Sequence, residues 1–215
     1  MRPAAVLFDC DGVIVDSEPI TMRLFARSLA RHGLILSPAE IETLFLGGTL
    51  AGAADEARRR GARLPEDWVE ATYQESFARL AEGTPLVAGI EALLDALDTA
   101  ALPYAVASNG PHRKMEVTLG QHPALWARLE GRIFSREDVA RPKPAPDLYL
   151  HAARALGADP ARCAVIEDSP SGVHAAVAAG MRCYGFSAAT DSARLASAGA
   201  IPFSAMANLH DLLCL

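Results

Sequence analysis

Short apolar runs and stretches of helical spacing take turns along most of this chain. Ala4-Ala5-Val6-Leu7-Phe8 is apolar without a break, as a strand buried on both faces must be, and it stops at Asp9-Cys10-Asp11-Gly12. Similar runs follow at Tyr104–Ser108, Cys163–Glu167 and Arg182–Phe186, with a shorter one at Ile133-Phe134. Helical patterns fall between them: Ile90, Leu93, Leu94 and Leu97, then residues 147–156 and 171–179. Strand and helix in alternation predict a parallel sheet with helices on both faces.

One block breaks the alternation. Ile20, Leu24, Phe25, Ser28 and Leu29 recur at helical spacing, and Ser37-Pro38 opens a further helix with proline at its first position. Gly47-Gly48 interrupts the pattern, helices resume near 50–60 and 65–80, and the block ends at Gly83-Thr84-Pro85. The expected architecture is α/β: a doubly wound, Rossmann-like parallel-sheet core of residues 1–16 and 84–215. A helical cap of residues 17–83 is inserted after the first strand. The crossings near 15–17 and 83–86 are the expected hinges, with Asp16 organising the first.

Composition narrows the class. Of 215 residues 51% are hydrophobic, enough for a sizeable core, yet no apolar run reaches the roughly 20 residues of a membrane span. No leader pattern precedes the first strand. A net charge of −6 argues against nucleic acid or an anionic membrane as partner. The four cysteines are scattered without a CxxC pair, which disfavours zinc and disulfides. Cys10 lies between two acids that raise a thiol's pKa, so it is read as a bystander. These features predict a cytoplasmic protein, monomeric by default.

The chemistry collects at strand ends. Asp9 and Asp11 end the first strand, Ser108 and Asn109 a second, and Glu167 and Asp168 a later one. In a parallel sheet these ends share one edge, where open α/β sheets bind ligands. Between them lies Arg141-Pro142-Lys143-Pro144, and Lys143 is one of only two lysines beside eighteen arginines. Four converging carboxylates repel one another unless Mg²⁺ and Lys143 offset them, and a phosphoryl dianion suits such a site. Asp9 is then the nucleophile and Asp11 the acid and base. Backbone N–H groups around Cys10 and Asp11, with Ser108, Asn109 and Lys143, are the expected phosphate ligands. The helix start at Gly110-Pro111 favours the same anion. Each motif alone reads more plainly, as a turn, an N-cap or a surface lysine; their order on successive strand ends argues for a site.

Together, Asp9-Cys10-Asp11-Gly12-Val13, Ser108, Lys143 and Glu167-Asp168 resemble the four motifs of the haloacid dehalogenase superfamily, over nearly the whole chain. Asp16-Ser17-Glu18 and Ser108-Asn109-Gly110-Pro111 with Lys114-Met115 are similar to its sugar-phosphatase and β-phosphoglucomutase-like branch. The resemblance implies a Mg²⁺-dependent phosphatase acting through an aspartyl-phosphate on Asp9. Its substrate would be a small phosphorylated metabolite, a sugar or sugar-acid phosphate such as 6-phosphogluconate. It also implies a metal held by Asp9, the Asp11 carbonyl and Asp168, with Glu167 near or on it.

Rival chemistries differ at particular residues. Dehalogenases lack the acid that Asp11 supplies, and phosphonate-cleaving members need a cap lysine, absent from residues 17–83. β-Phosphoglucomutases carry a histidine at Thr21 and an arginine at Leu50, so a phosphomutase is the alternative reading. A phospho-accepting regulatory domain is the alternative of another class; receivers are shorter, uncapped and carry their phosphorylated aspartate later. Leu46, Gly47 and Gly48 are the expected cap specificity loop, with Leu46 where relatives often carry a lysine. Arg23 and Arg27 could supply charge in its place.

Overall fold

The computed structural model describes residues 2–45, 50–188 and 191–215. The chain divides into two compact units, residues 1–16 with 85–215, and residues 17–84.

In the first unit six strands run in parallel: β1 (Ala5–Phe8), β2 (Tyr104–Ser108), β3 (Ile133–Ser135), β4 (Cys163–Glu167), β5 (Arg182–Phe186) and β6 (Ile201–Phe203). Their order is β3-β2-β1-β4-β5-β6. The chain winds outward from β1 to β3, then crosses back to β4 and winds the other way. The reversal beside β1 is the topological switch point, where open α/β sheets hold their ligands.

Alternation along the strands feeds two cores. Val6, Phe8, Tyr104, Val106, Ala164 and Ile166 face one side of the sheet; Ala5, Leu7, Ala105, Ala107, Cys163 and Val165 face the other. The second unit contributes helices α1 (Glu18–Arg31), α2 (Pro38–Phe45), α3 (Leu50–Arg59) and α4 (Trp68–Ala81). The first unit continues with α5 (Ile90–Thr99), α6 (His112–Leu119) and α7 (Pro123–Leu129), which cover the Val6 face; Ile90, Leu94, Met115, Leu119, Leu125 and Leu129 pack there. Helices α8 (Asp147–Ala155), α9 (Pro170–Ala178) and α10 (Ser192–Ala198) cover the opposite face. The terminal α11 (Leu209–Leu213) returns to the Val6 side.

Both chain crossings between the units meet in the first unit. Asp16 donates its N–H to the Pro85 carbonyl at 2.8 Å, and Val87 donates to Ile14 at 2.9 Å. Val15 and Leu86 form an antiparallel bridge between them.

The second unit has its own core, with Leu24, Phe25, Leu29, Ile41, Leu50, Ala54, Ala57 and Trp68 buried together. The Trp68 indole N–H donates to buried Ser28 Oγ at 2.9 Å, which accounts for a serine on an apolar helix face. Arg23 and Arg27 line a groove between α1 and α4 with Arg31 and Arg79. Leu46, Gly47 and Gly48 lie outside the described residues. No helix among the described residues is long and apolar enough to cross a membrane.

Candidate active site

Strands β2, β1 and β4 are neighbours, so their polar ends stand side by side at one edge. The Asp9 N–H extends the ladder one step, donating to the Ile166 carbonyl at 2.9 Å. Gly12 then turns the chain with φ at +76°, a left-handed conformation that side chains resist. A Cβ there would also lie 1.9 Å from Asp168 Oδ2, so the Asp168 carboxylate rests on the Asp11-Gly12 turn.

Lys143 is buried and holds two carboxylates, Asp9 Oδ1 at 2.6 Å and Glu167 Oε1 at 2.7 Å. Its ammonium also lies 4.5 Å from the centre of the Tyr149 ring, a cation–π distance. Burial alone would lower the lysine's pKa, but Asp9 and Glu167 outweigh it and raise the value. Asn109 accepts from the Lys143 N–H and donates to the Lys143 carbonyl, both at 3.0 Å. Its side chain therefore clamps the lysine's backbone.

Glu167 is fully buried and saturated. Oε1 accepts from Lys143 and from the Tyr149 hydroxyl at 2.8 Å; Oε2 accepts from Ser169 Oγ and from the Asp168 and Ser169 N–H groups. Burial pushes its carboxyl up, yet Lys143 and these donors hold it below the usual range. Five hydrogen bonds reach its two oxygens, and through the shared Lys143 it supports Asp9. Asp9 differs. Burial, with Glu167 and Asp11 beside it, outweighs Lys143 and pushes its carboxyl up to about 7. A group so perturbed at a switch point is a functional-site candidate.

The loop after β2 is fixed from two directions. Gly110 donates its N–H to Ser108 Oγ at 3.0 Å, and its carbonyl accepts from Ser135 Oγ at 2.8 Å. Helix α6 begins at His112, whose N–H is already capped by Glu137 at 3.0 Å. A carboxylate thus takes part of the place that the helix start offers an anion. The Cys10 thiol is pushed well up by burial and by Asp11 and Asp9, as expected of a bystander.

Among the described residues no three His, Cys, Asp or Glu side chains form a metal cluster. Mg²⁺ takes one or two carboxylates and keeps several waters. The carboxylates of Asp9 and Asp168 and the Asp11 carbonyl are hard oxygen donors flanking the Gly12 turn, a donor set fitting this ion.

Three contributors escape the motifs. Tyr149 gives Glu167 its second side-chain donor on Oε1. Gly172 makes room for that glutamate, since a Cβ there would lie 1.5 Å from Oε1. Lys114 places Nζ 2.8 Å from Asp11 Oδ2. The rarity of lysine and the branch-like Lys114-Met115 pair were the available signals for Lys114; the other two sit in ordinary helical patterns. Gly172→Ala, which in an open helix would stabilise by about 1 kcal/mol, should here destabilise by about 1–3 kcal/mol. Calorimetry checks this, and an unchanged or raised Tm would refute the close approach.

A parallel α/β fold with its polar strand ends gathered at the switch point fits a hydrolase, and residues 3–180 match the haloacid dehalogenase-like hydrolase family. The chain belongs to that family and is a phosphatase enzyme. It is 34% identical to 6-phosphogluconate phosphatase of Escherichia coli, over 87% of this chain and 84% of that one. Identity is also 34% to hexitol phosphatase A of the same organism, covering 91% and 88%. A solved hydrolase of the family from Deinococcus radiodurans, with bound phosphate and sodium, superposes with a TM-score of 0.85. It is 33% identical and the match covers 99% and 96% of the two chains.

Proposed function

We propose that this enzyme is a Mg²⁺-dependent phosphatase of sugar, sugar-acid or sugar-alcohol phosphates that works through an aspartyl-phosphate on Asp9. The observation that carries the reading is the Lys143 bridge, which fixes Asp9 Oδ1 at 2.6 Å and leaves the second carboxylate oxygen for attack on phosphorus. Asp11, two residues on, protonates the departing oxygen and then takes a proton from the water that releases phosphate. Ser108 and Lys143 hold the phosphoryl oxygens, and Asn109 holds Lys143 in place. Asp9, Asp168 and the Asp11 carbonyl would hold Mg²⁺, which offsets the charge of phosphate against carboxylate.

Two cap residues support water as the acceptor. Thr21 turns its hydroxyl back on its own helix, donating to the Ser17 carbonyl at 3.0 Å, and Leu50 is buried in the cap's core. Neither offers the imidazole or guanidinium of a phosphomutase. The names of the two relatives, a sugar-acid phosphatase and a hexitol phosphatase, support the substrate class. The test is phosphate release from a panel of phosphorylated metabolites, in Mg²⁺ and in EDTA. Among these metabolites, turnover greatest on sugar-type monoesters and lost in EDTA is expected. Release that survives EDTA, or none from any compound, overturns the reading.

A further inference from the structure

The chain's two lysines both end on the Asp9-Cys10-Asp11 segment, and they reach it from opposite faces of the sheet. Lys143 precedes α8, on the Leu7 side, and holds Asp9; Lys114 lies in α6, on the Phe8 side, and holds Asp11. The first pairing belongs to the motifs. The second lies outside the four superfamily motifs, in the stretch whose Lys114-Met115 resembles the sugar-phosphatase branch.

We propose that Lys114 is a positioning residue for Asp11: its ammonium, 2.8 Å from Oδ2, fixes the carboxyl that exchanges a proton with the leaving oxygen. The inference rests on the phosphatase reading above. Three observations carry it. Lys114 is not a solvated surface lysine, since its side chain is only 22% exposed, as is that of Asp11. Its stem is guided: a Cβ at Gly110 would lie 3.4 Å from Lys114 Cδ, 3.3 Å from Ser108 Oγ and 3.9 Å from Asp11 Oδ2. The glycine that Ser108 and Ser135 pin in place is therefore the floor over which the lysine passes. Lastly, a cation in the first turn of α6 opposes the helix dipole, so helix stability gives no reason for it.

A carboxyl that must meet a departing oxygen loses rate quickly when its orientation is free, because proton transfer needs hydrogen-bond geometry in the transition state. The ammonium restricts the orientation of Asp11 through Oδ2. This role depends on the leaving group. An alkoxide leaves only with a proton, whereas p-nitrophenolate leaves without one.

The experiment compares kcat/KM, which reports on leaving-group departure, for a sugar phosphate turned over by the wild type and for p-nitrophenyl phosphate. Lys114→Met and Lys114→Gln should each lose at least about tenfold more on the sugar phosphate than on the aryl ester. Lys114→Arg should recover most of that difference. In the Asp11→Asn background, Lys114→Met should add less than about threefold, as expected for two residues acting as one unit. Equal losses on both esters, or losses that multiply in the double variant, would show that Lys114 binds phosphate or merely supports the fold. Either would overturn the inference while leaving the phosphatase standing. A wild type releasing phosphate from neither ester would take both down.

Discussion

Asp9→Asn should lose turnover by about 10⁴-fold or more and at the same time make the metal-free protein more stable at pH 8. The first effect follows from removing the nucleophile. The second follows from its surroundings. Burial and the neighbouring carboxylates raise Asp9 from 3.8 to about 7, so the folded protein holds this proton more tightly than the unfolded chain does. The protonated carboxyl's contribution is complete below pH 3.8 and is lost as pH climbs through 7. Asparagine has no proton to lose. The variant's advantage should open above about pH 4 and be widest above pH 7, on the order of a few kcal/mol. Thermal unfolding in EDTA should show a gain of roughly 5–10 °C at pH 8, shrinking towards pH 5. A variant less stable than wild type at pH 8 would mean that Asp9 is not a strained carboxylate.

Lys143→Met should cost the fold more than any other single change at this edge. It leaves Asp9 and Glu167 buried without the ammonium they share, and stranding a buried charge costs about 3–5 kcal/mol. In a protein of this size that is a fall in Tm of about 10 °C or more. Turnover should vanish with it. Adding Glu167→Gln should recover a measurable part of the stability, because the amide carries no charge to strand. A double variant as unstable as the sum of the two single ones would show that lysine and glutamate are not coupled.

Much of this was legible before any coordinates. The apolar runs at residues 4–8, 104–108 and 163–167 read as buried parallel strands, whose polar ends then share one edge. The last strand, β6, was not legible: Ile201-Pro202-Phe203 is three residues long with a proline, and it sits at the sheet's edge, where neither length nor pattern announces a strand. Within the site, types were readable and partners were not. Asn109 reads as a phosphate ligand beside Ser108, but its amide finds the backbone of a residue thirty-four positions on. Glu167 reads as a group near or on the metal beside Asp168, and the sequence does not show the five donors that converge on it. Such pairings are set by which helix lies on which face, and periodicity gives the face without the neighbour. Lys114 shows the difference: composition marked it as rare, and only the approach of α6 to the Gly12 turn showed what it holds.

The Asp16–Pro85 and Ile14–Val87 hydrogen bonds have an evolutionary meaning beyond the two residues they join. Because the chain leaves and re-enters the sheet unit at one spot, residues 17–84 are, to the strands, a detour that begins and ends at the same doorway. Closing such a detour costs only about 0.6 kcal/mol more for each doubling of its length. Insertion, deletion or exchange within it shifts no strand by a single residue. The lineage can therefore rewrite what lies inside the doorway while the carboxylates and their lysines keep their register.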